Sequence, residues 1–301
     1  MKAFRIQTAL ALMCLMVARA LPATAAGTEP PVHGMWIWKS ASVLQAPQAA
    51  AAIRNFCQAG GINEVYISVP KNYSALEGLQ LAQLITLLHQ SGMRIEALIS
   101  SVDADEPGAP RTKLLDHVQS ILQFNRQHPS QSFDGIHLDI EPQQRPENKG
   151  PGNLQFLPAL IDTYRAVRVL TDRAGLALNA DIQNKLLKAD IEQRQALLAA
   201  VPRLTLMLYE LSSPEDGSTT AQKIDKLRES SQRFLQMAYQ GVEGPRLARM
   251  AIALRTPDYG ALLPQMLAAL DQSNGNDPHY LGWARHSYND TLAGAAPSDD
   301  P

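Results

Sequence analysis

The chain has 301 residues, with 27 basic and 29 acidic side chains and a formal net charge of −2. That balance supplies no cationic face for nucleic acid. The length allows one large domain with a full core.

The first 26 residues read as a secretory signal peptide. Lys2 and Arg5 form a positive start, residues 6–17 are apolar, and Ala23-Thr24-Ala25-Ala26 offers small residues for cleavage. The apolar run is short for a membrane span, and Arg19 interrupts it. No stable membrane insertion is expected after cleavage, and the mature protein is placed in the periplasm or the medium. Removing this segment takes Lys2, Arg5 and Arg19 and no acids, leaving 24 basic against 29 acidic residues, or −5. Cys57 is then the lone cysteine and has no intramolecular disulfide partner. It shares helical spacing with Ile53 and Phe56, which marks it as core.

Short apolar runs then alternate with longer helical patterns. The expected strands are 34–39, 64–69, 94–100, 135–141, 176–182, 204–209, 249–254 and 280–283. Helical periodicity fills 76–89, 112–127, 154–173, 188–200, 221–239 and 259–270. Ser74 and Glu77 have capping-box spacing, and Gly60-Gly61, Ser91-Gly92 and Gly175 stand where helices should stop. Eight such units predict an α/β fold of the (β/α)₈ kind, a single-domain barrel over 27–295 with a loose tail at 296–301. An open doubly wound sheet would carry a glycine-rich loop after its first strand. Lys39-Ser40-Ala41-Ser42 is no such loop. Only 287–295 remain for a last helix, so that helix is short or missing.

Side chains alternate along a strand, so parity sorts inside from outside. On strand four, Ile136, Leu138 and Ile140 fit the helix-covered face, which turns His137, Asp139 and Glu141 inward. Strand five turns Asn179 and Asp181 inward, and strand six Met207 and Tyr209. Trp36 and Trp38 on strand one and Trp283 on strand eight are also assigned inward, with Trp36 deep enough to be core. Tyr66, Ser68, Ser100 and Arg255 are further inward candidates near strand ends. Buried acids need partners or a purpose. An inward Asp-x-Glu at the C-terminal mouth, where barrel active sites are built, points to chemistry. Carboxylates there can protonate a glycosidic oxygen and stabilise an oxocarbenium-like charge.

The segment Asp134-Gly135-Ile136-His137-Leu138-Asp139-Ile140-Glu141 resembles the Asp-x-x-Asp-x-Asp-x-Glu signature of the chitinase-like glycoside hydrolase family 18. Met207-Leu208-Tyr209-Glu210 resembles that family's strand-six Met-x-Tyr-Asp, and Trp283 falls where the family carries a strand-eight tryptophan. The resemblance implies retaining, substrate-assisted hydrolysis without a cofactor. Glu141 would protonate the leaving oxygen. Asp139 would orient a 2-acetamido group, Tyr209 would hydrogen-bond its carbonyl, and Trp283 would floor the sugar subsite. Two positions depart from the pattern: His137 replaces the middle aspartate, and Glu210 replaces the strand-six aspartate.

The catalytic candidates are therefore Glu141, Asp139 and Tyr209. The substrate-binding candidates are Trp38, Tyr66, His137, Asp181, Glu210, Arg255 and Trp283. The expected partner is a carbohydrate substrate, with no nucleic acid, no resident metal, and a monomeric protein. Asp181 or Glu210 could instead serve as a second catalytic carboxylate. Two other function classes stay open: a non-catalytic carbohydrate-binding barrel, and a metal-dependent hydrolase using His137, Asp139 and Glu141.

Overall fold

The computed structural model describes residues 30–292, apart from 47, 73, 151, 212–215 and 245. The expected signal peptide and C-terminal tail lie outside the described residues.

Eight parallel strands close a ring in chain order. They are β1 Val32–Ile37, β2 Glu64–Ser68, β3 Arg94–Ser101, β4 Gly135–Ile140, β5 Ala177–Gln183, β6 Arg203–Met207, β7 Arg249–Arg255 and β8 Tyr280–His286. The helices are α1 Ser40–Leu44, α2 Ala49–Ala59, α3 Ala75–Gln90, α4 Ala109–Gln127, α5 Leu157–Ala174, α6 Ile191–Ala200, α7 Thr220–Tyr239, α8 Thr256–Tyr259, α9 Leu263–Asn274 and α10 Tyr288–Leu292. This is the expected (β/α)₈ barrel, and its last helix is short, at five residues. No helix among the described residues is long and apolar enough to cross a membrane.

Local chemistry sets the element ends. The Ser74 hydroxyl accepts from the Glu77 amide at 3.2 Å, and the Glu77 carboxylate accepts from the Ser74 amide at 2.6 Å. This capping box starts α3, and Thr219 with Gln222 starts α7 the same way. The helices α2, α3 and α5 stop just before Gly60, Ser91 and Gly175.

Alternation then builds two interiors. Met35, Ile37, Val65, Ile67, Ile136, Leu138, Leu204, Leu206, Ile252 and Leu254 face the helices and join the main apolar core. Cys57 is buried in that layer, and burial pushes its thiol up to about 12. Inside the ring lies a smaller cluster of Trp36, Trp38, Tyr66, Leu98, Ala253 and Ala284. A side chain at Gly34 would meet the Tyr66 hydroxyl at 2.5 Å, so glycine there makes room for the phenol inside the ring.

Strand eight departs from expectation. It runs on to His286, and the β7–β8 register slips between Met250 and Ala251, where Gly282 rather than Leu281 faces Ala251. Gly282 adopts a φ of 139° that side chains disfavour, and a Cβ there would strike the Val32 carbonyl oxygen at 2.0 Å. From this irregularity onward Ala284 pairs with Gly34, while Trp283 pairs with His33. Ala284 and His286 thus turn inward and Trp283 turns outward.

Candidate active site

The C-terminal ends of the strands enclose a cleft of about 380 Å³. Its acids are Asp139, Glu141 and Asp181. Its aromatic walls are Trp36, Trp38, Tyr209 and His286, and its remaining polar groups include Ser100, Ser101, Gln144 and Gln183. A larger groove of about 590 Å³ lined by α4 and α5 residues has no carboxylate in its lining. The mouth cleft combines acids with aromatic surfaces.

Glu141 sits one residue beyond β4. Its amide donates to the Ser101 carbonyl at 2.8 Å, which fixes the backbone against β3. The short 3₁₀ turn Pro142–Gln144 follows and brings two amides back to the carboxylate. Gln143 Nε2 donates to Oε2 and Gln144 Nε2 to Oε1, each at 2.8 Å. Gln183, at the end of β5, donates to Oε2, also at 2.8 Å. Arg145 braces this loop by donating to Asp105 at 2.8 Å. Glu141 is therefore pre-oriented by three neutral donors, two from the turn after β4 and one from the end of β5.

Asp139 pairs in register with Ser100, and both line the cleft. Below it, His137 is fully buried and does not line the cleft. His137 Nε2 faces Asp181 Oδ1 at 2.8 Å, and Nδ1 faces Glu96 Oε2 at 3.3 Å. A neutral imidazole can donate from only one nitrogen, so two carboxylate partners call for the imidazolium. Burial works against that charge, but Asp181 and Glu96 outweigh it and hold the pKa at about 9. Asp181 is anchored a second time, since Trp36 Nε1 donates to its Oδ2 at 3.2 Å.

The pair belongs to a longer buried chain. Arg203 donates to Glu96 at 2.9 Å and to both oxygens of Glu64 at 2.7 and 2.9 Å. Arg94 also donates to Glu64, at 3.2 Å. Cations and anions thus alternate from the barrel floor up to Asp181. Burial and the neighbouring Glu96 raise the Glu64 pKa, whereas at Glu96 the burial cost is overcome by Arg203 and His137 and the pKa falls.

Tyr209 stands two residues beyond β6, half-buried in the cleft wall. The Arg255 guanidinium lies 5.6 Å from its ring centre, over the ring, and His286 lies 5.8 Å away. Arg255 is held at 2.7 Å by Asp258 and sits at the rim rather than in the cleft lining. Trp38 Nε1 donates to His286 Nε2 at 2.8 Å. The Trp38 backbone is also tied in both directions to Asn289, at 2.8 and 2.9 Å.

Besides Arg255 at the rim, four sequence-predicted residues lie outside the cleft lining. Tyr66 is completely buried inside the ring, its ring centre 3.9 Å from that of His137, and makes no part of the cleft. His137 occupies the layer beneath, as an ion partner and not a ligand contact. Glu210 has a side chain 79% exposed, 3.7 Å from Arg255, with a left-handed backbone (φ 59°). Trp283 packs outside the ring, stacked on His33 at 4.1 Å and donating to Asp271 at 3.0 Å. The register slip at Gly282 is the physical reason, and His286 takes the inward place at the end of β8 instead.

The glutamines and His286 were not identified from sequence as cleft residues. Gln183 continues the inward series 179, 181, so strand parity could have found it once β5 was drawn one residue longer. Among the described residues, no group of three or more His, Cys, Asp or Glu side chains is arranged to hold a metal ion.

No family model and no curated relative matches the sequence. Solved structures do match the fold. A variant of the GH5_18 enzyme from Streptomyces cattleya, in complex with Manβ1-4GlcNAc, is similar at TM-score 0.58 and 12% identity, over 84% of this chain and 70% of that one. A chitinase from Bacteroides thetaiotaomicron is similar at TM-score 0.53 and 9% identity, over 87% and 93%. The spore cortex-lytic enzyme SleL from Bacillus cereus is similar at TM-score 0.48 and 11% identity, and the match covers 75% of this chain and about half (51%) of SleL. The first two likenesses show the barrel fold.

Proposed function

We propose that this protein is an exported glycosidase that hydrolyses a polysaccharide or oligosaccharide, with Glu141 as the general acid. One observation carries the reading: Glu141, Asp139, Asp181 and Tyr209 line one cleft at the C-terminal mouth with Trp38. In this reading Glu141 is the proton donor, Asp139 and Asp181 are carboxylates for developing positive charge, and Trp38 is an indole beside them. The family resemblance of strand four adds an N-acetylated glycan as substrate class and the assisted mechanism. Glu141 gives its proton to the glycosidic oxygen as that bond breaks, while the acetamido carbonyl, oriented by Asp139 and Tyr209, attacks the anomeric carbon. That the similar barrels include a chitinase and a GH5_18 enzyme is in keeping with this reading.

A non-catalytic carbohydrate-binding barrel is the second reading. It draws on the three amide donors around Glu141, which suit a carboxylate that only accepts hydrogen bonds. The two are separated on one oligosaccharide by measuring hydrolysis rate and binding constant for the wild type and for Glu141→Gln. The glycosidase reading expects the rate to fall by about 10²–10⁴-fold or more while binding persists. Equal binding by both proteins, with hydrolysis of no glycan in a polysaccharide panel, favours the binding barrel. Unchanged hydrolysis by Glu141→Gln removes Glu141 from the chemistry.

A further inference from the structure

Trp38 separates the cleft from a second hollow. This space of about 220 Å³ is lined by Trp38, Lys39, Ser68, Val69, Leu98, Ile99, Ser100 and His117. Trp38 and Ser100 belong to both linings, so the hollow continues the cleft rather than standing apart from it. A single water accounts for only about 30 Å³, so the space suits a larger guest.

The chemistry of the lining differs from that of the cleft. His117 Nε2 is buried with no hydrogen-bond partner among the described residues. The His117 ring bonds the backbone of Val69, and burial together with the Lys71 charge lowers its pKa. A neutral ring that donates to Val69 leaves Nε2 a bare acceptor, which a hydroxyl donor satisfies. The Ser68 hydroxyl accepts from the Ser40 amide at 3.2 Å and retains its own proton to donate. Apolar walls from Val69, Leu98 and Ile99 face the same space.

Charge marks the other difference. The cleft side of Trp38 carries Asp139, Glu141 and Asp181, while the hollow carries Lys39 and no acid in its lining. Lys39 is also one of three described non-glycine residues with positive φ, at 50°. Glycine or asparagine would hold that backbone at lower cost. The lysine at this costly backbone position contributes the cationic side chain of the lining.

We propose that this hollow is a second sugar subsite, joined to the cleft across Trp38, and that it takes a sugar residue bearing a carboxylate. The ring lies along the indole and apolar walls, one hydroxyl donates to His117 Nε2, and the carboxylate pairs with Lys39. The acidic cleft repels that same residue, so the two subsites fix the register of an alternating chain. The proposal rests on reading the cleft as a sugar site.

The test is calorimetric titration in the Glu141→Gln background, where hydrolysis does not interfere. The probes are a tetrasaccharide alternating glucuronic acid and N-acetylglucosamine, and its carboxyl-reduced counterpart. The acidic probe is expected to bind about tenfold tighter than the reduced one, as for one charge-assisted contact. Lys39→Asn, which tolerates the left-handed backbone, should erase that preference, and Lys39→Arg should restore it. His117→Phe should weaken both probes equally. Binding of both probes with equal affinity overturns the carboxylate subsite and leaves the sugar cleft intact. Binding of neither overturns the sugar reading and the subsite with it.

Discussion

His137 Nε2 lies 2.8 Å from Asp181 Oδ1, inside a barrel where neither side chain meets bulk water. With Glu96 on the other nitrogen, the imidazolium is a structural cation. Its pKa is raised from 6.5 to about 9, so the sign of the linkage is fixed. This stabilisation is fully present below pH 6.5 and is lost as pH rises through about 9. Thermal melts should show Tm falling across that window in the wild type, with the window absent in His137→Gln. The His137 ring nitrogens followed by NMR should remain protonated at pH 8; titration near 6.5 would contradict the paired-ion picture.

Arg203 is the cation that two buried glutamates share. Removing one partner of a buried pair leaves uncompensated charge and costs about 3–5 kcal/mol. Urea denaturation of Arg203→Ala should show a loss of that order. Arg165, by contrast, pairs with exposed Asp162 at 3.1 Å and is itself exposed. Arg165→Ala should stay within about 1 kcal/mol of wild type.

The two tryptophans should separate binding from stability. Trp38 lines the cleft, whereas Trp283 packs between the ring and Asp271 of α9. Trp38→Phe should raise KM for an oligosaccharide several-fold with little change in Tm. Trp283→Ala should cost about 3–5 kcal/mol of stability, as for a buried aromatic. A Trp283→Ala protein that keeps its Tm but loses sugar binding would reinstate Trp283 as the platform.

The acids should divide in the same way. Glu210 points to solvent, so Glu210→Gln should leave kcat within about twofold of wild type. Asp181→Asn strips the His137 imidazolium of one carboxylate and should lower both kcat and Tm. Equal kinetic effects at the two positions would mean that the mouth closes over Glu210 in the working complex.

If Glu141 is the general acid, as proposed, its proton transfer needs no ion, so exhaustive chelation should leave turnover unchanged. Loss of turnover with EDTA, restored by one divalent metal, would favour the metal-dependent alternative.

Most of the fold was legible because a parallel barrel repeats one simple pattern. Its strands are buried on both faces, its helices show 3.6-residue periodicity, and glycine marks the stops. The inward parity of β4, β5 and β6 also followed from alternation, and with it Asp139, Glu141, Asp181 and Tyr209. Trp283 did not, because alternation holds only while the register is unbroken, and the slip at Gly282 reverses it. His137 and Tyr66 were read as inward and are inward. Parity gives the side of the sheet and not the depth, so it could not distinguish the ionic layer from the cleft above it. The Glu64–Arg203–Glu96 chain was missed because those residues stand near strand starts and have no local motif; only closure of the ring brings residues 64, 96 and 203 together.

The seam where β1 meets β8 has a consequence for how the ring forms. Val32 pairs with Gly282, so this ladder joins the two most distant strands of the barrel in sequence. Seven of the eight strand pairings connect neighbours in the chain, and their loop-closure cost is modest. The eighth has to draw together nearly the whole described length, a contact that slows folding of any chain that depends on it. Because a Cβ at position 282 would overlap the Val32 backbone, the seam closes only on a glycine. Gly282 thereby acts as a gatekeeper of ring closure: a larger residue there would hold the sheet open at its last joint, with seven strands assembled and the β1 and β8 edges unpaired.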